Sequence, residues 1–283
     1  MSTSTLELRP HGPTSAGGRV RAWLRDVRVM ARRNLIHVRR EPQQLSDSTV
    51  QPVLFTLLFV SIFSASMVLP GGGNPKDFLV PGLLALNLTT GSVGTAIGLA
   101  SDLHSGVIDR LRTLPMSQAS VLFGRSISDL LSTSLCATFV LLTGLVLGWR
   151  PTTGALSIAA GIALVIFFGY AISWFCGCIG LLVGEPEAAQ GIAFLVLFPL
   201  AFVSNAFAAT QGMPAILRVI ANWNPVSAVT AGVRELFGNP NPSSTIEVWP
   251  MQHPVLAGVL WSAAILVISA TTATWLYRSK TSD

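Results

Sequence analysis

Apolar residues in this 283-residue chain fall into six long runs separated by short polar turns. Each run is close to the ~20 residues that a helix needs to cross the hydrocarbon core of a bilayer. Charged residues lie almost entirely between the runs. The pattern predicts an all-α integral membrane protein with six transmembrane helices. They are expected at about residues 48–69, 78–101, 126–148, 154–183, 188–209 and 254–277 of one transmembrane domain, residues 43–278.

The chain ahead of the first run divides into two parts. Residues 1–18 are polar and lack the apolar stretch of a signal peptide, which predicts a disordered cytoplasmic tail. Residues 19–42 place apolar residues at helical spacing beside a face of arginines. This pattern predicts an amphipathic helix that lies in the membrane interface and ends at Pro42. A basic helix that packs on a soluble partner remains open as the alternative.

Charge is scarce and unevenly distributed. Asp, Glu, Lys and Arg make up 11% of the residues, far below the ~25% of a soluble domain. The net charge of +5 does not indicate nucleic-acid binding, because half of the 18 basic residues precede residue 41. With the N-terminus inside, fourteen Lys and Arg fall in inner segments and four in outer ones. This bias predicts N-in and C-in, for a multi-pass protein of the cytoplasmic membrane of a bacterium.

The outer segment between the fifth and sixth runs, residues 210–253, is more than a plain loop. Its first part is apolar but too short to cross. Asn and Pro at 224–225 then indicate a helix start, with Asn as the cap and Pro at the first position. We expect two short helices that re-enter the outer leaflet and form a gate. The gate residues are expected to be Asn224, Pro225, Arg234 and Glu235. A helix pair resting on the headgroups is the alternative.

Within the runs, a few small and polar residues concern helix packing. Glycines recur at a spacing of four, which lets helices approach closely. These pairs are Gly94/Gly98, Gly144/Gly148 and Gly180/Gly184. Asp129 is an acidic residue inside the third run, and we interpret it as a structural pair with Arg125, one turn earlier. The three cysteines lie in apolar runs and are interpreted as packing residues.

The sequence contains no recognisable energy source or catalytic site. It has no G-x-x-x-x-G-K-[ST] phosphate loop, and its four histidines lack the spacing of metal ligands. The runs hold no relay of ionisable residues for an ion-coupled transporter. The chain is therefore not expected to be an enzyme or to bind a metal or cofactor itself. Its energy is expected to come from a partner.

The first inner loop, residues 102–125, is the best candidate to receive that energy. Its pattern predicts a helix with one apolar face and one charged face, ended by a proline. Its residues are Leu103, Val107 and Leu111 on the apolar face, Asp109 and Arg112 on the charged face, and Pro115 at the end. An amphipathic helix of this size can dock into a cleft of a soluble protein. A solvated loop helix is the alternative.

Three motifs resemble one family of membrane proteins, in the same order along the chain. They are GVIDRLRTLPMSQASVLFGRSISDLL in the first inner loop, LVLFPLAFVSNAF in the fifth run and NWNPVSAVTAGVREL in the outer segment. The sequence is similar to type-2 ABC-transporter permeases, above all to those of the daunorubicin and doxorubicin resistance type. The resemblance covers the chain from the interfacial helix to the sixth run.

The resemblance implies the membrane subunit of an exporter. Two permeases, identical or paralogous, would pair with two soluble ABC ATPase subunits, and these partner chains would bind ATP and Mg. Such exporters move hydrophobic or amphipathic drugs, antibiotics, lipids or glycolipids outward. The alternative is a membrane anchoring or assembly protein that recruits an ATPase without transporting anything itself.

The resemblance also implies two sets of site residues. The first inner loop becomes a coupling helix over about residues 103–114. The implied ATPase contacts are Leu103, Val107, Asp109, Arg110, Leu111, Arg112, Leu114, Pro115, Arg39 and Glu41. Position and polarity place the substrate path on the second and fifth spans. Its residues are expected to be Leu86, Asn87, Thr90, Phe198, Phe202 and Asn205.

Overall fold

A computed structural model describes residues 42–67, 69, 72–105 and 118–279. The predicted tail, the predicted interfacial helix up to residue 41 and most of the predicted coupling helix lie outside the described residues. Within the described ranges the regular structure is entirely helical. The predicted all-α class is therefore confirmed for this part of the chain.

The described residues form ten α-helices and two short 3-10 helices. The α-helices are α1 (Pro42–Ser66), α2 (Pro75–Gly91), α3 (Val93–His104), α4 (Gln118–Val146), α5 (Ala155–Val183), α6 (Pro186–Phe202), α7 (Ala215–Trp223), α8 (Pro225–Phe237), α9 (Trp249–Gln252) and α10 (Pro254–Ser279). The 3-10 helices are Thr210–Gly212 and Pro242–Thr245.

Five helical stretches of the described chain are long and apolar enough to cross a membrane. They are Thr49–Ser66, Pro75–His104, Arg125–Val146, Ala155–Val183 and Pro254–Tyr277. The run predicted at residues 188–209 corresponds to α6, an apolar helix of 17 residues. The chain is thus a multi-pass membrane protein. Of the six predicted spans, α6 is the one that is too short for its length alone to establish a crossing.

Helix α6 ends before the apolar run does. Pro199 lies in its last turn, and Val203 leaves the helical conformation at φ −84° and ψ 60°. The side-chain amide of Asn224 donates to the carbonyl oxygens of Leu200 (2.6 Å) and Val203 (2.7 Å). These bonds satisfy carbonyls that the end of a helix leaves without an intrahelical partner. Tertiary contacts to a distant residue therefore end this helix, although its sequence remains apolar.

The second span is broken at Ser92, between α2 and α3. The Ser92 hydroxyl donates to the carbonyl of Leu88 (2.8 Å) and lies 3.4 Å from the carbonyl of Gly169 on α5. A Gly-Ser pair is a recognised cause of helix kinks. The break divides one 30-residue apolar stretch, Pro75–His104, into two packing units.

Helix α5 lies at the centre of the molecule and packs against α2, α3, α4, α6, α8 and α10. Gly180 on α5 lies so close to the backbone of Ala96 on α3 that a Cβ there would clash. Gly184 ends the same helix in the left-handed conformation, at φ 74°. The two members of this glycine pair therefore serve different purposes. One allows helix contact, and the other allows the chain to turn.

Helix α8 is almost completely buried against α2, α5 and α10. Asn224 caps it by accepting from the Val226 amide (2.8 Å), which confirms the predicted helix start. Helix α7 is different, because most of its apolar side chains are exposed, Ile216 at 77%. Helix α8 is therefore packed within the protein, whereas α7 presents an apolar face outward.

Candidate functional site

A polar cavity of about 240 Å³ lies among the apolar helices α1 to α6. Its polar lining residues are Gln51, Asn87, Thr90, Ser92, Thr95, Asp129, Ser132, Thr133, Ser173 and Gln190, and its apolar walls include Leu88, Ile97 and Phe194. Exposed lining residues mark its opening, Gln51 on α1 and Gln190 on α6. A cavity with so many polar groups in a membrane protein is suited to hold water or a polar part of a ligand.

Helix α2 contributes polar side chains to the cavity, and two of them donate hydrogen bonds to carbonyls of the same helix. The Asn87 amide donates to the carbonyl of Leu83 (2.8 Å), and the Thr90 hydroxyl donates to that of Leu86 (3.0 Å). These bonds to the preceding turn satisfy donors that lipid could not satisfy. The break at Ser92 then places the start of α3 on the same cavity wall. The second span therefore supplies polar atoms from both sides of its break.

Asp129 on α4 lines the cavity and also a much smaller one of about 20 Å³ next to it. Its carboxylate lies beside Thr95 of α3, which lines both cavities with it, and is attracted to the positive charge of Arg125. The salt-bridge partner of Arg125 is, however, Asp102 on α3, at 3.2 Å between Nη1 and Oδ2. The predicted Asp129–Arg125 structural pair is thus corrected, because a carboxylate on the neighbouring helix takes the guanidinium. Gly98 makes room for that guanidinium.

An aromatic row begins at the cavity and runs along α6. Phe194 lines the cavity. The centroids of successive rings lie 5.5 Å (Phe194–Phe198) and 4.2 Å (Phe198–Phe202) apart. Phe202 stacks on Phe207, which contacts Phe59 of α1 at 5.3 Å. Phe194 and Phe198 are 49% and 43% exposed. The row therefore presents a continuous aromatic surface between α6 and α1.

A second polar cluster, which we call the Arg234 clamp, lies beyond the end of α6. Arg234 on α8 is fully buried and donates to the carbonyls of Phe78 (2.9 and 3.1 Å), Asn205 (3.0 Å) and Ala206 (3.1 Å). Its guanidinium also lies 3.6 Å from the centre of the Phe78 ring, a cation–π contact. Burial lowers the pKa of Arg234 to about 9, so it remains charged at pH 7. The clamp joins α8, the start of α2 and the chain after α6.

Asn205 extends the clamp. Its amide donates to the carbonyl of Ser227 (3.2 Å) and the hydroxyl of Ser243 (3.1 Å), and its backbone N–H donates to the Ser227 hydroxyl (3.0 Å). Nearby, the Trp149 indole N–H donates to Asn239 (2.9 Å) at the end of α8. These bonds tie the outer connections of the molecule to one another, and they leave little freedom for α8 to move alone.

The sequence matches the family model described as ABC-2 type transporter over residues 25–237. That range includes most of the chain, the cavity helices α1 to α6 and the clamp. The chain belongs to the ABC-2 type transporter family. Its helical membrane architecture is that of a permease subunit rather than of a soluble domain.

Three proteins that are similar to this permease are themselves named as permeases. The daunorubicin resistance ABC transporter permease protein DrrB1 of Streptomyces coeruleorubidus is 30% identical and matches 84% of this chain and 81% of its own. The probable doxorubicin resistance permease DrrC of Mycobacterium tuberculosis is 23% identical over 98% and 97% of the two chains. The putative transport permease ycf38 of Cyanophora paradoxa is 25% identical over 77% and 76%.

The residues predicted for the substrate path do not all lie together in the permease. Asn87 and Thr90 line the cavity, and Phe198 and Phe202 belong to the aromatic row. Leu86 is buried, at 2% exposure, and is absent from the cavity lining. Asn205 is part of the Arg234 clamp. The geometry therefore places Asn87 and Thr90 at the cavity and Phe198 and Phe202 along the aromatic row, whereas Leu86 is a packing residue and Asn205 belongs to the clamp.

The predicted gate and coupling residues have different locations. Arg234 is the centre of the clamp, Asn224 and Pro225 lie at the start of α8, where the Asn224 amide donates to carbonyls at the end of α6, and Glu235 is exposed. Of the coupling set, Leu103 is described, near the end of α3. The rest lie outside the described residues: Val107, Asp109, Arg110, Leu111, Arg112, Leu114, Pro115, Arg39 and Glu41.

The cavity contains residues that the sequence interpretation did not assign to a site. On α4 these are Asp129, Ser132, Thr133 and Cys136. Their spacing of i, i+3, i+4 and i+7 is that of one helix face. This polar stripe within an apolar run was the available signal for a helix face that meets a cavity instead of lipid.

Proposed function

We propose that this chain is the membrane-spanning subunit of an ATP-driven exporter, which moves an amphipathic drug, antibiotic or lipid outward across the cytoplasmic membrane of a bacterium. The observation that carries this proposal is the polar cavity within the apolar helices, continued by the aromatic row on α6. A cavity of this kind accommodates a polar group, while the aromatic surface accommodates an apolar one. Two of the relatives described above are named for resistance to daunorubicin and doxorubicin, which supports a drug-like substrate.

Six crossings with both termini inside are supported by the lengths and charges. Helix α6 of 17 residues is about 26 Å long at 1.5 Å per residue, only slightly short of a ~30 Å core. The segment after it turns back into the protein at the clamp, where the backbone carbonyls of Asn205 and Ala206 accept from Arg234. In this arrangement α7 and α8 form the re-entrant outer hairpin, and the cavity lies in the inner half of the membrane.

The exposed faces of α1 and α6 support a dimer. Leu54, Leu58 and Ile62 on α1 are 52–60% exposed, and Leu195 on α6 is 74% exposed. These faces border the cavity opening and the aromatic row. A second permease seated there would convert the open surface into a path between two subunits, with its inner end at the two cavities.

The energy source in this proposal is a pair of soluble ABC ATPase subunits, which bind ATP and Mg. The described residues of α3 lead directly into the first inner loop, where the charged residues Asp109 and Arg112 are expected to contact the ATPase. Because α3 also forms a wall of the cavity, a force applied to the loop is delivered to the proposed substrate site.

The test is ATP-dependent transport by the permease and its ATPase in vesicles, against a panel of amphipathic drugs and lipids. We expect Asp109→Ala and Arg112→Ala to abolish most of the coupled transport, because both remove charged contacts to the ATPase. Arg150→Ala, in an outer turn, is the matched control and should transport normally. Unchanged transport in both loop variants would contradict the coupling role.

The same assay distinguishes an exporter from the alternative, an anchoring protein that recruits an ATPase without transporting a substrate. That protein would bind the ATPase in a pull-down yet move none of the panel. An exporter should lose transport when its aromatic row is altered, without losing the bound ATPase.

A further inference from the structure

The charges around the polar cavity do not balance. Asp129 is the one acidic or basic residue among the described residues that line it. Among the described residues, the cation that acts on Asp129 is Arg125, and its guanidinium is held by Asp102 at 3.2 Å. The three groups together carry one excess negative charge when ionised. An unbalanced charge within a membrane is costly, and such residues usually mark a functional site.

We propose that the cavity binds the ammonium group of an amphipathic organic cation, with Asp129 as its counter-charge. This inference rests on the proposed exporter function and specifies its substrate class. An ammonium group has three N–H donors. The hydroxyl groups of Thr95 on α3, Ser132 on α4 and Ser173 on α5 line the same cavity as Asp129 and can accept from those donors. The cation would supply the charge that the protein itself leaves unmatched.

The size of the cavity indicates which part of the ligand enters it. Sites that enclose a whole drug-sized molecule have volumes of ~300–1,000 Å³, whereas this cavity has about 240 Å³. The charged head therefore fits inside, and the apolar body extends through the opening between α1 and α6. There it meets Phe194 and Phe198, whose exposed rings lie 5.5 Å apart. Aromatic faces favour both a planar body and a nearby cation.

A metal ion fits this site less well than an organic cation. Calcium prefers 6–8 oxygen ligands, several of them carboxylates, and magnesium requires near-ideal octahedral geometry. No cluster of three Asp, Glu, His or Cys side chains occurs among the residues that the structure describes. One carboxylate among neutral hydroxyls, beside an aromatic wall, matches an ammonium group attached to an apolar body.

The experiment measures binding to the full-length permease in lipid nanodiscs, without ATPase or nucleotide. The probes are fluorescent anthracenylmethylammonium and its uncharged N-acetyl derivative, and the signal of protein-free nanodiscs is subtracted. We expect Asp129→Asn to weaken binding of the ammonium probe about tenfold or more, because a desolvated charge pair is lost. Binding of the N-acetyl derivative should change less than about twofold, since it never had that pair.

Two further variants complete the design. Ser132→Lys adds a cation on the same cavity wall, one turn from Asp129, and should also remove the preference for the ammonium probe. Glu187→Gln removes an exposed carboxylate that does not line the cavity, and should leave both affinities unchanged. An unchanged ammonium preference in Asp129→Asn would overturn the proposal. If Asp129→Asn binds neither probe, the comparison passes to Ser132→Lys. A Ser132→Lys variant that still prefers the ammonium probe would then overturn the proposal.

Failure of this inference is distinguishable from failure of the exporter function. Binding without ATP can show the ammonium preference even if the assembled complex transports nothing. Conversely, vesicles that export neutral and cationic substrates equally well, in wild type and Asp129→Asn alike, would keep the exporter function and refute the cation site.

Discussion

The Arg234 clamp and the polar cavity use polar residues in opposite ways. In the clamp, the N–H groups of Arg234 and of the Asn205 side chain donate to carbonyl or hydroxyl partners within the protein. In the cavity, hydroxyls and a carboxylate surround about 240 Å³ of space. Satisfied polar groups hold a single arrangement, whereas polar groups around a space leave room for a ligand. Buried polar residues thus join segments of the chain in one region and line an open space in the other.

The largest expected effect on stability is in the clamp. Arg234→Met removes the donors to three buried carbonyls, and each unsatisfied group costs about 1–3 kcal/mol. We expect the free energy of unfolding to fall by about 3–6 kcal/mol, with most of the folded protein lost in detergent. Thermal unfolding of the purified permease measures this. Arg218→Met, on the exposed face of α7, is the control and should change stability by less than about 0.5 kcal/mol. If Arg234→Met and Arg218→Met were equally stable, the clamp would contribute no more to stability than an exposed position does.

A smaller effect is expected next to the clamp, at Gly82 on α2. A Cβ at this position would clash with the backbone carbonyl of Ala206, one of the acceptors of Arg234. Because backbone cannot move aside as a flexible side chain can, Gly82→Ala should cost about 1–3 kcal/mol in stability. The matched control is Gly191→Ala on α6, where nothing lies within 4 Å. The control should be neutral or slightly stabilising, and a tolerated Gly82→Ala would show that α2 is not held tightly there.

The smallest effect on stability is expected at the cavity opening. Gln190 on α6 is exposed and lines the cavity. Gln190→Ala should change the free energy of unfolding by less than about 0.5 kcal/mol, as is usual for surface positions. It should nevertheless lower the rate of ATP-dependent transport, because it removes a polar group from the proposed entry of the substrate. Normal transport by Gln190→Ala would show that the substrate does not enter the cavity beside Gln190.

Features that depend on local pattern could be predicted from the sequence. The apolar runs correspond to helices, and Asn224 and Pro225 start α8 as their residue types indicate. The all-α class follows from the same patterns. These predictions succeed because run length and helix capping depend on residues within a few turns of one another.

Features that depend on distant contacts could not be predicted. The end of α6 is set by Asn224, whose amide takes the carbonyls of Leu200 and Val203. Arg125 binds Asp102 on another helix, although Asp129 lies one turn away on its own. In the sequence the cavity shows only as scattered polar positions, Asn87 and Thr90 in the second run and the stripe on α4, because six helices together enclose it. A polar stripe indicates that one helix face does not meet lipid, but it does not indicate which other helices that face contacts.

The break at Ser92 has a mechanical consequence. The apolar stretch Pro75–His104 would be about 45 Å long if straight, well beyond a ~30 Å core. The α3 part is a lever about 18 Å long, with its pivot at Ser92 and its far end joined to the first inner loop. A rotation of about 10° about that pivot displaces the far end by about 3 Å. Because Ser92 itself lines the cavity, the same rotation reshapes the wall beside Asp129.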